Sequence, residues 1–147
     1  MLPEDTIDYN IRKTWHKISK MYNRNAIEYM PNTSMALGML ILNIDITEGT
    51  PSTQLGPSMG MEATSLSRSL KKLENAGVIQ RKSDPHDKRK SVIHLTDLGL
   101  KSRKIAKKIV IDFNEAIFSE FKKEELKIFF NILKKINNIV DEKKDTY

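Results

Sequence analysis

From Ala63 to Lys72 the sequence ATSLSRSLKK alternates hydroxyls and cations with leucines at helical spacing. Leu66, Leu70 and Leu73 step by four and three onto one stripe, while Thr64, Arg68, Lys71 and Asn75 fall on the other. A hydroxyl donates or accepts, a guanidinium presents a planar fork that matches a guanine edge, and an ammonium pairs with a phosphate. The chemistry available is noncovalent reading of a polyanion. Ala63, Thr64, Ser65 and Arg68 lead this face and are expected at base edges, a bidentate Arg68 contact being worth about 1–3 kcal/mol of discrimination. Ser67, Lys71 and Lys72 are placed for phosphates or for bases farther along. Arg81, Lys82, Lys88, Arg89 and Lys90 follow at once. From Glu62 to Leu95 there are eight cations (Arg68, Lys71, Lys72, Arg81, Lys82, Lys88, Arg89, Lys90) against four acids (Glu62, Glu74, Asp84, Asp87), a net +4 of the chain's +6.

Other chemistries find little support. The 147 residues fit one domain, or one small domain with a dimerising extension, and 25 Lys plus Arg against 19 Asp plus Glu make polyanions natural partners. The absence of cysteine excludes disulfides, thiolate zinc sites, iron–sulfur ligation and thiol-oxidation sensing. His16, His86 and His94 have no i,i+4 partner, so no metal site and no cofactor are expected. Neither a phosphate-cradling glycine loop nor a G-x-S-x-G nucleophile motif is present, and no enzyme is expected. Met1 to Glu4 lack the order of a secretory signal. The apolar stretch from Met35 to Ile46, broken by Gly38, Asn43 and Asp45, is too short for a bilayer. A cytoplasmic chain without membrane contact is expected.

The elements that must hold these residues follow from periodicity. Ile7, Ile11, Trp15, Ile18, Tyr22, Ala26 and Tyr29 form one helical stripe, opened by Pro3 with Asp5 and Thr6 as caps and closed by Pro31. Ser34 to Ile46 reads as a helix apolar on most sides, the centre of the core. Gly49 to Ser52 reads as a break. A short helix from Thr53 to Met59, a turn at Gly60-Met61 and a longer helix from Glu62 to Asn75 form a helix-turn-helix pattern, whose second helix fits the major groove. Gly77 ends that helix. Val78 to Lys82 and Ser91 to Leu95 read as a two-stranded ribbon joined by a type I turn at Asp84-Pro85-His86-Asp87, with Arg89 at its tip for insertion into a minor groove. Thr96 caps a helix carrying Ile105, Ile109, Phe113 and Ile117. A last helix carries Leu126, Phe129, Leu133, Ile136 and Val140 at heptad spacing, which favours a partner helix, and Asp141 to Tyr147 reads as frayed. Lys101, Arg103, Lys104, Lys107 and Lys108 read as a solvated cationic face.

The run LSRSLKKLENAGVIQRKSDPHDKRKSVIHLTDLG, residues 66–99, resembles the MarR family of bacterial winged-helix regulators. Asp84, Asp87 and Arg89 match the family's Asp…Asp-x-Arg wing tip, and Leu95-Thr96 with Gly99 match its wing-to-helix junction. The resemblance implies a mainly α fold: a winged helix-turn-helix domain (34–98) with a two-stranded β-wing, an N-terminal dimerisation helix (1–33) and C-terminal dimerisation helices (99–147). It implies a homodimer on a pseudo-palindromic operator in double-stranded DNA, with Asp87 bracing Arg89 in the minor groove. Two departures stand out. Pro57 falls late in the short helix, where it is expected to end or kink it. Glu62 replaces the usual Ser, Asp or Asn cap, which shifts the first contacts of Thr64 and Ser65.

Trp15, Tyr22, Met35, Met39 and Phe113 read first as core and dimer-interface residues. In the MarR family small apolar or aromatic effectors sit between the dimerising helices and the winged domain, so these five are also candidates for binding an acyl-chain or aromatic acid. A ligand-responsive transcriptional regulator, acting as a repressor, is the expected function. A winged-helix module for protein or RNA contacts without operator specificity is the alternative, and a small-molecule or metal carrier is a third class that no residue favours.

Overall fold

The structure, a computed structural model, describes residues 2–29 and 33–143. Pro31 and Lys144 to Tyr147 lie outside them. The chain divides into two compact units, Met1–Ile109 and Val110–Tyr147.

In the first unit a short 3-10 turn, Pro3–Asp5, leads into helix α1, Ile7–Tyr29, with the predicted bounds. Burial along its apolar stripe is graded. Ala26 is buried and Ile18 and Tyr22 are half-buried, but Ile7, Ile11 and Trp15 are exposed. Helix α2, Met35–Asn43, is tied to α1 where the Met35 N–H donates to Asn23 Oδ1 at 2.8 Å, and Ser34 caps it. Its apolarity on most sides is matched by burial of Leu37, Leu40 and Ile41 and of Ile44 just beyond. It stops three residues short of Ile46 because the Asp45 carboxylate accepts from the Thr47 and Glu48 amides at 2.8 and 2.7 Å, a side-chain turn that competes with helix. Ile46 is left 63% exposed.

The segment read as a break contains strand β1, Thr50–Pro51, followed by helix α3, Ser52–Met59, and helix α4, Ala63–Asn75. Pro57 does not end α3, which continues two residues past it. Gly60, with φ +63°, closes that helix: its N–H donates to the Pro57 carbonyl and the Met61 N–H to that of Gly56. Gly77, with φ +71°, does the same for α4, where the Gly77 N–H reaches Glu74 O and the Val78 N–H reaches Leu73 O, both at 2.9 Å. A left-handed glycine lets each chain reverse while the helix's last carbonyls stay paired.

Strands β2, Ile79–Ser83, and β3, Ser91–Leu95, pair antiparallel from Ile79↔Leu95 to Ser83↔Ser91. The expected two-stranded ribbon is corrected to a three-stranded sheet of order β1-β3-β2, with Thr50 opposite Ile93 and Pro51 opposite Val92. An edge strand tolerates proline, and two residues are too few to show a period-2 pattern. The reverse turn at the ribbon's end also moves. The closing backbone bond runs from the Lys90 N–H to Asp87 O at 2.8 Å, spanning Asp87 to Lys90, while Asp84 takes the His86 and Asp87 amides on its side chain. Asp-Pro satisfies the preferences of a type I turn, but the carboxylate replaces the carbonyl as acceptor.

Leu40 and Ile41 of α2, Ile44 just beyond it, Leu55 of α3, Leu66, Leu70 and Leu73 of α4, and Ile79 and Ile93 of the sheet meet in one buried cluster. Helix α5, Asp97–Ser119, starts at the sheet. Thr96 Oγ1 accepts from the Gly99 N–H at 3.1 Å and donates to Gly77 O at 2.6 Å, with Val78 O at 3.1 Å. A Cβ at Gly99 would run into the Val78 carbonyl oxygen, so the α5 backbone lies directly on the end of the α4–β2 connection.

The second unit holds the end of α5 and helix α6, Lys123–Glu142, so the start of the segment read as a frayed tail is helical. Phe118 and Phe130 meet edge to face at 6.5 Å. Of the heptad stripe, Leu126, Leu133 and Ile136 are half-buried, whereas Phe129 and Val140 are more than half exposed.

Candidate nucleic-acid interface

Helix α4 divides sharply. Leu66, Leu70 and Leu73 are buried in the core, and this fixes the helix about its axis so that Ala63, Thr64, Ser65, Ser67, Arg68, Lys71 and Lys72 are all exposed, as the periodicity predicts. The core therefore aims the reading face. This exposed face carries hydroxyl and guanidinium groups toward its start and ammonium groups farther along.

Beyond Gly77 the ribbon adds Arg81, Lys82, Lys88, Arg89 and Lys90, all exposed. Asp87 Oδ1 accepts from the backbone N–H of Arg89 at 3.1 Å and from its Nε at 3.2 Å. The Asp87 side chain is only 30% exposed while that of Arg89 is 91% exposed. One carboxylate oxygen thus holds the Nε edge of the guanidinium while most of the side chain stays open to solvent. Asp84 supports the same loop: hydrogen bonds from the His86 and Asp87 amides hold its carboxyl below the ordinary aspartate range.

Arg81 differs from its neighbours. Its Nε pairs with Glu74 Oε2 at 3.2 Å, tying β2 to the last turn of α4. This occupies part of a guanidinium expected to face phosphate. Among the cations read as a solvated face, Arg103 is corrected. It is half-buried, and its Nη2 donates to the Leu42 carbonyl at 3.1 Å. Gly99, Ser102 and Ala106, small residues three and four apart and all buried, were the available signal that this side of α5 packs closely. Lys101, Lys104 and Lys107 are exposed as expected.

The five candidate effector residues fall in both units. Trp15 is not core but 51% exposed, on a concave surface of α1 shared with Tyr9, Arg12, Lys13, His16 and Lys17. Tyr22, whose hydroxyl is pushed up by burial, Met35 and Met39 are half-buried in the first unit, and Phe113 is half-buried in the second. Among the described residues no group of three His, Asp or Glu side chains could hold a metal ion, and no helix is long and apolar enough to cross a membrane.

The profile of the MarR family matches residues 34–91, from the cap of α2 to the first residue of β3. The HTH-type transcriptional regulator YcgE of Bacillus subtilis (strain 168) is 24% identical over 138 residues, covering 90% of each chain. The regulator YdgJ of the same strain is 25% identical over 89 residues, 60% of this chain but only 54% of its own length. Among solved structures, S. aureus MepR bound to DNA superposes with a TM-score of 0.83 at 19% identity, over 90% of this chain and 97% of that one. PcaV of Streptomyces coelicolor, in complex with its natural ligand, gives 0.80 at 16% identity, over 94% and 96%. The superpositions show a winged-helix fold, and the family match falls on residues 34–91 of it. Residues 34–91 of this chain are thus similar to the MarR family, and the curated relatives it matches are named HTH-type transcriptional regulators.

Proposed function

We propose that the chain binds double-stranded DNA as a homodimer on a pseudo-palindromic operator and represses transcription until a small acid releases it. The observation that carries the DNA reading is the phase of α4: its three leucines are buried and all seven candidate contact residues are exposed, beside a braced Arg89. In this reading α4 enters a major groove, with Ala63, Thr64, Ser65 and Arg68 at bases and Ser67, Lys71 and Lys72 along the strand, while Arg81, Lys88, Arg89 and Lys90 follow the backbone into the adjacent minor groove.

Pairing of two chains is supported by apolar side chains left open at the ends of the sequence. Ile7, Ile11 and Trp15 in α1, and Phe129, Ile132, Ile139 and Val140 in α6, are each at least 40% exposed. Patches of that kind in a soluble chain mark association surfaces. Two reading heads must lie about 34 Å apart to meet successive major grooves on one face. An effector acts if it binds the competent and incompetent spacings with different affinity. The neighbourhood of Trp15 suits an aromatic acid, since the indole offers a face and Arg12 and Lys13 offer cations on the same helix. PcaV, a structural neighbour, binds a natural ligand.

Selection of bound duplexes from a random pool is the test, followed by titration at several salt concentrations. A palindromic site and a log–log salt slope near −7, for about eight phosphate contacts per dimer, are expected. No selected sequence, or a slope near zero, overturns the proposal and returns the chain to a protein- or RNA-binding winged helix.

A further inference from the structure

Helix α4 opens with an acid whose side chain makes no capping hydrogen bond. Glu62 is its N-cap residue, exposed, yet its carboxylate accepts no hydrogen bond from the first-turn amides, and no ion pair to it occurs among the described residues. The helix start is anchored without it, through the Glu62 carbonyl, which accepts from the Leu66 N–H at 2.9 Å. The other acid of this helix, Glu74, is neutralised by Arg81. A carboxylate held at the leading end of a face that meets a polyanion weakens binding to every sequence unless a donor satisfies it.

The bases limit what that donor can be. In the major groove guanine offers two acceptors, thymine an acceptor and a methyl group, and adenine a donor beside an acceptor, whereas cytosine offers its N4 amino group alone. A carboxylate only accepts. N-terminal residues of a recognition helix are the ones that reach base edges. We propose that Glu62 is a specificity-determining residue, which accepts a hydrogen bond from the N4 amino group of one cytosine in each half-site and disfavours the other three bases there. The proposal rests on the DNA reading above. It also gives Glu62 a partner that it lacks among the described residues, with Arg68 about one and two-thirds turns farther along to take a guanine.

The experiment compares duplexes selected from a random pool by the full-length wild type, by Glu62→Ala and by Glu62→Gln. Thermal unfolding of each serves as the folding control, because Glu62 makes no side-chain hydrogen bond or ion pair among the described residues. The wild type should enrich cytosine about tenfold or more at one symmetric pair of positions, Glu62→Ala should flatten that preference, and Glu62→Gln should move it to adenine, whose N6 and N7 a glutamine amide can pair. Tighter binding to all duplexes with the wild-type base preference intact in both variants overturns the proposal and leaves Glu62 as a general brake on phosphate attraction. So does a wild-type site without cytosine at such a pair. If the wild type selects no sequence, the DNA reading itself falls with it.

Discussion

Arg103 and Leu42 are joined across α5 and α2: the guanidinium Nη2 donates to the Leu42 carbonyl at 3.1 Å. Leu42 lies in the last turn of α2, whose carbonyls have no partner within the helix and carry the negative end of its dipole. The cation also contributes, after the Glu48 and Thr47 amides, to holding the Asp45 carboxyl below its ordinary range. Together these contacts pin the turn that leads from the core into β1 and α3.

Replacing Arg103 by methionine should therefore destabilise the chain by about 1.5–3 kcal/mol, the usual worth of a hydrogen bond from a charged group. Lys104→Met, one residue on but exposed, should stay within about 0.5 kcal/mol. Urea denaturation of both variants checks this, and equal effects would return Arg103 to the solvated face.

Arg89 and Asp87 separate stability from recognition. Their ion pair is exposed, so Asp87→Ala and Arg89→Ala should each change folding stability by less than about 1 kcal/mol. Affinity should respond more strongly, with Arg89→Ala losing about tenfold on sites with A·T flanks, roughly one base pair's worth of recognition. Arg68→Ala should instead blur preference at defined base pairs. Gel-shift titrations on flank variants distinguish the two, and sequence-blind losses from both would mean that they touch only phosphate.

At the junction of sheet and helix, Thr96→Val keeps the shape but leaves the Gly77 carbonyl and the Gly99 N–H without their hydroxyl partner. The expected cost is about 1–3 kcal/mol. Gly99→Ala should cost at least as much, because its methyl meets the Val78 carbonyl oxygen. Melting temperatures should fall by several degrees in both, and an unchanged value for Gly99→Ala would contradict the close backbone approach.

Acid should loosen the wing through Asp84. Its carboxyl lies below the ordinary value of 3.8 because the His86 and Asp87 amides bond to the charged form. A depressed carboxylate contributes order above its unfolded value and loses that contribution as pH falls through the folded one. NMR titration should place the Asp84 midpoint below 3.8, with the His86 and Asp87 amides moving in step. Asp84→Asn should keep the turn and abolish the movement. A midpoint at or above that of a free carboxylate would remove Asp84 from the wing's support.

Sequence alone determined most of this protein's secondary structure and which residues lie on the exposed face of α4. Helical phase put Leu66, Leu70 and Leu73 on one side and Thr64, Arg68 and Lys71 on the other, because a 3.6-residue period leaves little choice once the leucines must be buried. Left-handed glycines at 60 and 77 marked where α3 and α4 end, since that backbone conformation disfavours other residues. Tertiary structure decided what local pattern cannot encode. Thr50 and Pro51 are a strand only because β3 lies alongside them. The wing turns at Asp87 to Lys90 because the Asp84 carboxylate outcompetes its own carbonyl for the amides. Arg103, identical in type to its solvated neighbours, became an anchor because the small residues Gly99, Ser102 and Ala106 bring α5 close to the core, within reach of the unpaired carbonyl of Leu42 at the end of α2. Periodicity reports which face of an element is buried, and only the packed chain reports which unpaired polar group waits opposite it.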